Sequence, residues 1–460
     1  MFQLEFQGAA EQVTGSLHVV RSDDDVVLLE CGLVQGSAQA EEKNRAPFPV
    51  PVEDIDAVVL SHAHIDHSGR VPLLVKRGYR GPIYAQRATE ALCRIMLPDS
   101  GYLNKKQADW ENNHRKRLSD PTILPLYTRQ DAEESLAQFH RIAYDEPTEI
   151  VPGLTLRYRD AGHILGSAIV ELTHQSSGEP RRLVFSGDLG YRDAPVMDPP
   201  ETFASADAVL MESTYGDRLH RPFEETIDEL TGVFDAARAA SGNVLIPAFT
   251  VGRTQDLLYL MAEYYDRWNL DDWIIVLDSP MGINATEAYF DYRHLYGARL
   301  FAADTGRVIL PNFRTTRTSE ESMTLNQVRS GAIIIAGSGM CSGGRIHHHL
   351  KHNIGRPECH LVIVGYQAHG TLGRRIVDGA ETIRLWGNTY PVRAQVHTIG
   401  GLSAHADQSD LVDWYATFAD RPPVYLVHGE PHAQSALVAK LQSTLNAPAS
   451  IAKLGQTVDI

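Results

Sequence analysis

Positive charge is scarce in this 460-residue chain: 42 lysines and arginines stand against 58 aspartates and glutamates, a formal net charge of −16. Proteins coated for nucleic acid are usually basic, so a polyanionic substrate would need a locally positive site here. Cysteine is rarer still. Cys31, Cys93, Cys341 and Cys359 are scattered with no C-x-x-C pair, which argues against a disulfide framework and for free thiols in a reducing cytoplasm. No apolar run reaches the ~18 residues that suggest a membrane span. The opening stretch "MFQLEFQGAA" lacks a basic region followed by a long apolar one, which argues against a secretory signal. Low-complexity linkers and sequence repeats are absent as well.

What is present is an ordinary globular mixture, 43% hydrophobic and 22% charged, long enough for two or three domains with large cores. The first two hundred residues read as β-rich. "VVLLECG", "IDAVVLSH", "TLRYRDAGH", "RRLVFSGD" and "ADAVLMES" are apolar runs of the length and composition of buried strands. Each ends in small residues with a charged or imidazole side chain beside them. From about residue 216 to 390 the pattern changes to strand, glycine-rich loop and helix, repeated. "NVLIPAFTVGRTQDLLYLMAEYY", "WIIVLDSPMGINATEAYF", "AIIIAGSGMCSGGRIHHHLKH" and "HLVIVGYQAHGTLGRRI" are the units. Such alternation predicts a mostly parallel sheet covered by helices, with ligand-binding loops at the strand C-termini. After 390 the first pattern returns. The expected organisation is one domain in two parts, 1–212 and 391–460, with a second domain, 213–390, inserted into it.

The densest chemistry lies in "SHAHIDHSGR", where His62, His64, Asp66 and His67 fall just after a predicted buried strand. Zinc favours imidazole nitrogen and carboxylate oxygen. The H-x-H pair places two imidazoles on one side of an extended loop, and Asp66 and His67 turn toward a second ion. Completing two coordination shells requires further ligands, each at a strand end: His163 in "DAGHILGSA", Asp188 in "FSGDLG" and His428 in "LVHGE". The assignment gives one ion His62, His64, His163 and Asp188, and the other Asp66, His67, Asp188 and His428. A shared carboxylate suits a two-metal centre that activates water and polarises a phosphoryl oxygen. The successive His347, His348 and His349 point about 100° apart on a helix and cannot share an ion; they read as a surface or groove-lining stretch. His18, His114, His140, His174 and His220 have no ligand-spaced partner and read as structural.

These motifs carry a resemblance. "HAHIDHSG", "GHILGSA" and "SGDLG" are similar to the metallo-β-lactamase fold, and "MESTYGDR", "LSAHAD" and "LVHGE" resemble the extra motifs of its nucleic-acid-processing branch, the β-CASP nucleases. Within that branch the chain resembles the bacterial and archaeal ribonucleases related to the cleavage and polyadenylation endonuclease, and the likeness spans nearly its whole length. The resemblance implies an α/β protein: an αββα sandwich carrying two zinc ions, with a β-CASP domain inserted and the active site in the cleft between the two. It implies a ribonuclease acting on single-stranded RNA as an endonuclease, with exonuclease action left open. The seven ligand positions carry over, Asp66 also counting among the catalytic residues. Glu212 in "MEST" and His405 in "LSAHAD" join them, His405 as the general acid and Glu212 as the group that orients its imidazole. One position departs from the family. Glu30 in "LLECG" replaces the usual aspartate of "DCG", a residue that supports the metal loop without binding metal, and such changes cost ~10–100-fold in affinity or activity.

The acidic exterior is reconciled with an RNA substrate by the ions themselves. Two zinc ions bring four positive charges and Asp66 with Asp188 remove two, leaving about +2 in the site. Ser338 in "GSGM", Arg253, Arg345 and Arg374 are the candidate substrate-binding residues, while the plainer role for the arginines is capping helices or pairing with acids. Two other functions fit the motifs less well: a small-molecule ester, thioester or lactone hydrolase of the same fold, and a non-catalytic RNA-processing subunit. The expected partner is single-stranded RNA with no membrane, in the cytoplasm; a homodimer is an expectation the sequence leaves open.

Overall fold

Alternating burial builds the first sheet of the computed structural model, which describes residues 1–36, 39–114, 122–175, 178–297, 310–368 and 370–460. In Phe2–Phe6 every second side chain is buried, the period-two pattern of a strand with one face on a core. Phe2–Phe6 pairs antiparallel with His18–Ser22, Phe2 opposite Ser22, and on its other edge with Thr457–Asp459. The sheet continues through Asp25–Leu29, Ala57–Val59, Ile83–Gln86 and Phe139–Ile142. A second seven-stranded sheet runs Ala449–Ile451, Val424–Leu426, Ala208–Met211, Arg181–Phe185, Ala168–His174, Leu154–Asp160 and Thr148–Val151.

One core cluster joins the inner faces of both sheets, with Leu4, Val27 and Val59 from the first packed with Leu156, Leu172 and Leu183 from the second. Each such fully buried side chain contributes about 1.5–3 kcal/mol. On the second sheet's outer face, Leu411, Tyr415 and Leu437 of helices Gln408–Ala416 and Pro431–Leu445 cover Ile169, Val184 and Val209. Helices Val71–Lys76 and Arg87–Asn113 lie on the first sheet's side. The result is an α/β sandwich of two mixed sheets flanked by helices.

The 27-residue helix Arg87–Asn113 interrupts a region that reads in sequence as strands and turns. Pro98 inside it and the polar run "NKKQADWENN" behind it mask its period, although Ala88, Leu92, Cys93, Met96 and Leu97 form its buried face.

The other compact unit holds a six-stranded parallel sheet, ordered Phe313–Thr315, Ile274–Leu277, Ala332–Ala336, Val244–Pro247, His360–Ile363 and Gln395–Thr398. Its central strands are buried on both faces. Val244, Ile246, Ile333 and Ile335 point into one core with helices Phe223–Ala239 and Arg253–Glu263. Leu245, Ile334 and Leu361 point into another with helix Ile346–Asn353.

The first unit comprises Met1–Arg192, Pro199–Leu219 and His405–Ile460, the second Asp193–Asp198 and His220–Ala404. The second unit thus runs past residue 390, the boundary expected from sequence. The strand Gln395–Thr398 pairs in parallel with His360–Ile363, so the chain completes this sheet before it leaves. No helix among the described residues is long and apolar enough to cross a membrane. All four cysteines are buried and free.

Candidate metal centre

Strand ends supply the site. Ala57–Val59 gives way at Leu60 to an extended segment through His64, which is the N-cap of the short helix Ile65–Ser68. His62 and His64 therefore project from extended backbone, and Asp66 and His67 from the first helical turn. His163 follows Leu154–Asp160, Asp188 follows Arg181–Phe185, and His428 follows Val424–Leu426. Gly187 is required where it stands. Its φ is +56°, and a Cβ there would lie 2.9 Å from the Ala168 carbonyl and from Ser61 Cβ, so only glycine lets the Asp188 loop approach the histidine loop.

Two groups of ligand atoms result, each gathered within 4.8 Å: His62, His64, His163 and Asp188 in one, Asp66, His67 and His428 in the other. His64 Nδ1 lies 3.2 Å from both His62 Nε2 and His163 Nε2, and His67 Nε2 lies 3.1 Å from His428 Nε2. Asp188 reaches both groups: Oδ2 is 3.5 Å from His62 Nε2 and 3.4 Å from His67 Nε2, and Oδ1 is 3.5 Å from His428 Nδ1.

The donor set fits divalent cations. Asp188 Oδ1 is buried with no hydrogen-bond partner among the described residues, an arrangement that is costly unless a cation or polar group compensates it. Burial, then the neighbouring His67, holds His62 well below the ordinary imidazole range, and burial lowers His64 to about 4. Both are the neutral, lone-pair-bearing forms that bind metal. At Asp188, burial is outweighed by His428, His67 and His62, which hold the carboxylate ionised. At His67, burial is outweighed by Asp188, Asp66 and Glu30, and its pKa is well above normal. The cluster thus draws positive charge inward.

Three of the imidazoles are also held by neighbouring oxygens. Ser61 Oγ lies 2.9 Å from His62 Nδ1, Glu30 Oε2 lies 3.1 Å from His67 Nδ1, and Thr214 Oγ1 lies 3.0 Å from His428 Nδ1. Such contacts set ring orientation and basicity. Glu30, fully buried at φ +71°, also accepts a hydrogen bond from the Ser61 backbone N–H at 2.6 Å. One carboxylate therefore ties the start of the histidine loop to its last imidazole.

Beside this cluster, Asp188, Glu212 and His405 form a third group. Glu212 follows Ala208–Met211, is fully buried, and accepts from the Leu189 backbone N–H at 2.7 Å. Its two oxygens lie 3.1 and 3.2 Å from His405 Nδ1. His405 is held beside Asp188 by backbone as well, since Ala406 N–H donates to the Leu189 carbonyl at 2.8 Å. Burial alone would lower the His405 pKa, but Glu212 and then Asp188 raise it to about 9.

The candidate substrate-binding residues lie in the other unit, and each arginine is engaged with an acid. Arg253 is buried and pairs with Asp256 at 2.9 Å; Arg374 is half-buried and pairs with Asp378 at 2.9 Å. Arg345 donates to Asp278 at 2.5 Å and to the carbonyls of Thr316 and Arg317. Ser338 Oγ accepts from the Ser342 backbone N–H at 3.0 Å within its loop.

Sequence reasoning missed what Asp278 does. It is fully buried at the end of strand Ile274–Leu277 and receives Arg345, Ser322 Oγ at 2.6 Å, Thr316 Oγ1 and His349 Nε2 at 2.6 Å. Expected on a surface or groove, His349 is 1% exposed because the helical period places it with Ile346 and Leu350 on the inner face. The available signal was the lone charge in "IIVLDSP", a buried strand that ends in aspartate.

Models of three families match the chain: the metallo-β-lactamase superfamily over residues 12–248, the β-CASP domain over 254–376, and a Zn-dependent metallo-hydrolase RNA specificity domain over 389–452. Ribonuclease TTHA0252 of Thermus thermophilus is 39% identical over 456 residues, covering 98% of this chain and 99% of its own. The transcription termination factor FttA of Methanocaldococcus jannaschii is 31% identical over 444 residues, covering 93% of this chain and 67% of its own. A crystal structure of a protein of unknown function from Enterococcus faecalis matches over 99% of both chains, with a TM-score of 0.56 and 12% identity, a likeness of fold.

Proposed function

The chain belongs to the metallo-β-lactamase superfamily, in its β-CASP ribonuclease family, and from that premise we propose that it hydrolyses phosphodiester bonds of single-stranded RNA with two zinc ions. The protein is a zinc-dependent ribonuclease; the proposal concerns the residues and how they act. His62, His64, His163 and Asp188 would hold one ion, and Asp66, His67, Asp188 and His428 the other. The observation that carries this reading is Asp188, a single ionised, under-bonded carboxylate within reach of both imidazole groups. When bound, zinc supplies an activated water and Lewis-acid stabilisation of the phosphoryl oxygens.

The protein's own residues supply the remaining need, a proton for the departing oxygen. Glu212, whose buried carboxylate lies 3.1 Å from His405 Nδ1, favours the imidazolium that has this proton to give. With Nδ1–H donated to Glu212, Nε2–H is the proton to give, and Glu212 fixes the ring that gives it. The burial of Glu212 and its bond from Leu189 N–H keep that orientation before substrate arrives.

The deciding experiment incubates the purified protein with 5′- and 3′-labelled single-stranded RNA, with and without a chelator. Internal cuts that vanish with chelation and return with zinc are expected. Cleavage that survives full removal of metal overturns the reading. A small-molecule ester hydrolase is disfavoured by the RNA specificity domain match, and a generic ester assayed beside the RNA separates the two.

A further inference from the structure

Three loops leave the C-terminal ends of adjacent parallel strands, Val244–Pro247, Ala332–Ala336 and His360–Ile363. Crevices at such strand ends are where open α/β sheets take ligands. Two large aromatic side chains stand exposed there, Phe249 at 44% and Tyr366 at 59%. No exposed aliphatic side chain accompanies them among the described residues of these loops, so they do not form part of a broad apolar face.

The Phe249 ring is flanked by bare backbone. A Cβ on Gly339 would lie 3.0 Å from Phe249 Cδ2, and one on Gly365 would lie 3.7 Å from Cε2. Glycine at both places means that neither position puts a side chain against the ring. The Phe249 carbonyl accepts from both the N–H (3.2 Å) and the Oγ1–H (2.7 Å) of Thr254, which fixes the backbone that carries the ring. The Tyr366 loop is fixed too. Buried Gln367 donates through Nε2 to the carbonyls of Gly339 at 2.9 Å and of Gly365 and Tyr366 at 3.1 Å each. One amide therefore joins the glycine beside Phe249 to the loop that presents Tyr366.

We propose that Phe249 and Tyr366 bind single-stranded RNA by stacking against its unpaired bases. This rests on the ribonuclease reading and adds how the strand is gripped. The occupant follows from charge as much as from shape. A protein of net charge −16, whose candidate substrate-binding arginines are all paired with acids, gains little from neutralising phosphates. Stacking is available to it because every base has a π-face, and such contacts are worth about 1–3 kcal/mol per base. A rigid aromatic on a glycine-bordered ledge provides that contact with little ordering cost.

The test compares zinc-loaded wild type with Phe249→Ala, Tyr366→Ala and the double variant. Fluorescence anisotropy measures binding of a short single-stranded RNA, phosphorothioate-linked to slow its cleavage, and of an abasic ribose–phosphate strand of the same length and linkage. Each single variant should weaken RNA binding about 5- to 100-fold, with Phe249→Trp and Tyr366→Phe retaining wild-type affinity. The preference for RNA over the abasic strand should collapse in the double variant. Both side chains are exposed, and matching thermal unfolding curves show that the fold is kept. Unchanged RNA affinity in the double variant, or an equal loss for the abasic strand, overturns the stacking role while ribonuclease activity stands. Wild type that leaves RNA intact but hydrolyses a generic ester overturns both readings together.

Discussion

Two stretches of this molecule crowd three histidines together and put them to opposite ends. His62, His64 and His67 sit on a strand end, a turn and one helical turn, and their ring nitrogens meet within hydrogen-bond distance of each other or of a histidine from another loop. His347, His348 and His349 are consecutive on a helix and face three ways. The first touches the Cys341 carbonyl, the second packs against Trp386, and the third reaches Asp278. Local geometry, and not histidine content, decides whether imidazoles converge. The aspartates differ in the same way: Asp188 is left with an unsatisfied oxygen, whereas Asp278 is saturated by four side chains. An unsatisfied carboxylate among converging imidazoles suits a cation; a saturated one holds a fold.

Substitutions at these two aspartates should separate most sharply. Asp188→Ala is expected to lose bound zinc and at least ~10²–10³-fold in RNA cleavage, the scale of removing one preorganised electrostatic contribution. Zinc analysis of the dialysed protein beside cleavage rates checks it, and retained stoichiometric zinc would remove Asp188 from the ligand set. His405→Ala should keep its zinc yet lose about 10²–10⁴-fold in kcat, the usual contribution of a general acid. The wild-type rate should fall at alkaline pH as His405, whose imidazolium Glu212 favours, gives up its proton. An unchanged alkaline limb in His405→Ala would assign that limb to another group.

Asp278→Ala should do the reverse of Asp188→Ala. It leaves Arg345 and His349 without their partner, at a cost of about 3–5 kcal/mol in urea unfolding, with the zinc content unaltered. Glu30→Asp shortens the reach between Ser61 N–H and His67 Nδ1, and we expect a change of no more than about 10–100-fold in zinc affinity, measured by competition with a chromophoric chelator. The smallest effect concerns a third histidine group, His360 Nδ1 against His397 Nε2 at 2.9 Å. Burial, then His397, lowers His360 from 6.5 to about 4, so the folded form stays neutral while the unfolded chain takes a proton. Stability should therefore decline as pH falls from 6.5 toward 4 and level off below. His360→Gln should flatten that slope in urea midpoints, and an unaltered slope would place the titration elsewhere.

How much could be read beforehand follows from the same contrast. The gathering of His62, His64, Asp66 and His67 was legible because four side chains within six positions follow one buried strand. His163, Asp188 and His428 were legible because each ends a strand beside glycine or another small residue. The Asp278 cluster was not, since it joins a strand end to a helix 71 positions later and that adjacency has no local signature. The helix Arg87–Asn113 was hidden by Pro98 and its polar tail, and the last strand of the parallel sheet by a weak, half-exposed "QVHT". Local rules showed where chemistry concentrates; long-range packing decided what surrounds it.

The pairing of Phe2–Phe6 with Thr457–Asp459 also bears on how the protein is made. The strand Phe2–Phe6 waits for one made hundreds of residues later to close its sheet, and His405 and His428 are made long after His62 and Asp188. The parallel-sheet unit, nearly continuous in the chain, has no such wait. On the ligand assignment proposed above, a growing chain that has passed Asp188 and not yet reached His405 and His428 has no competent centre.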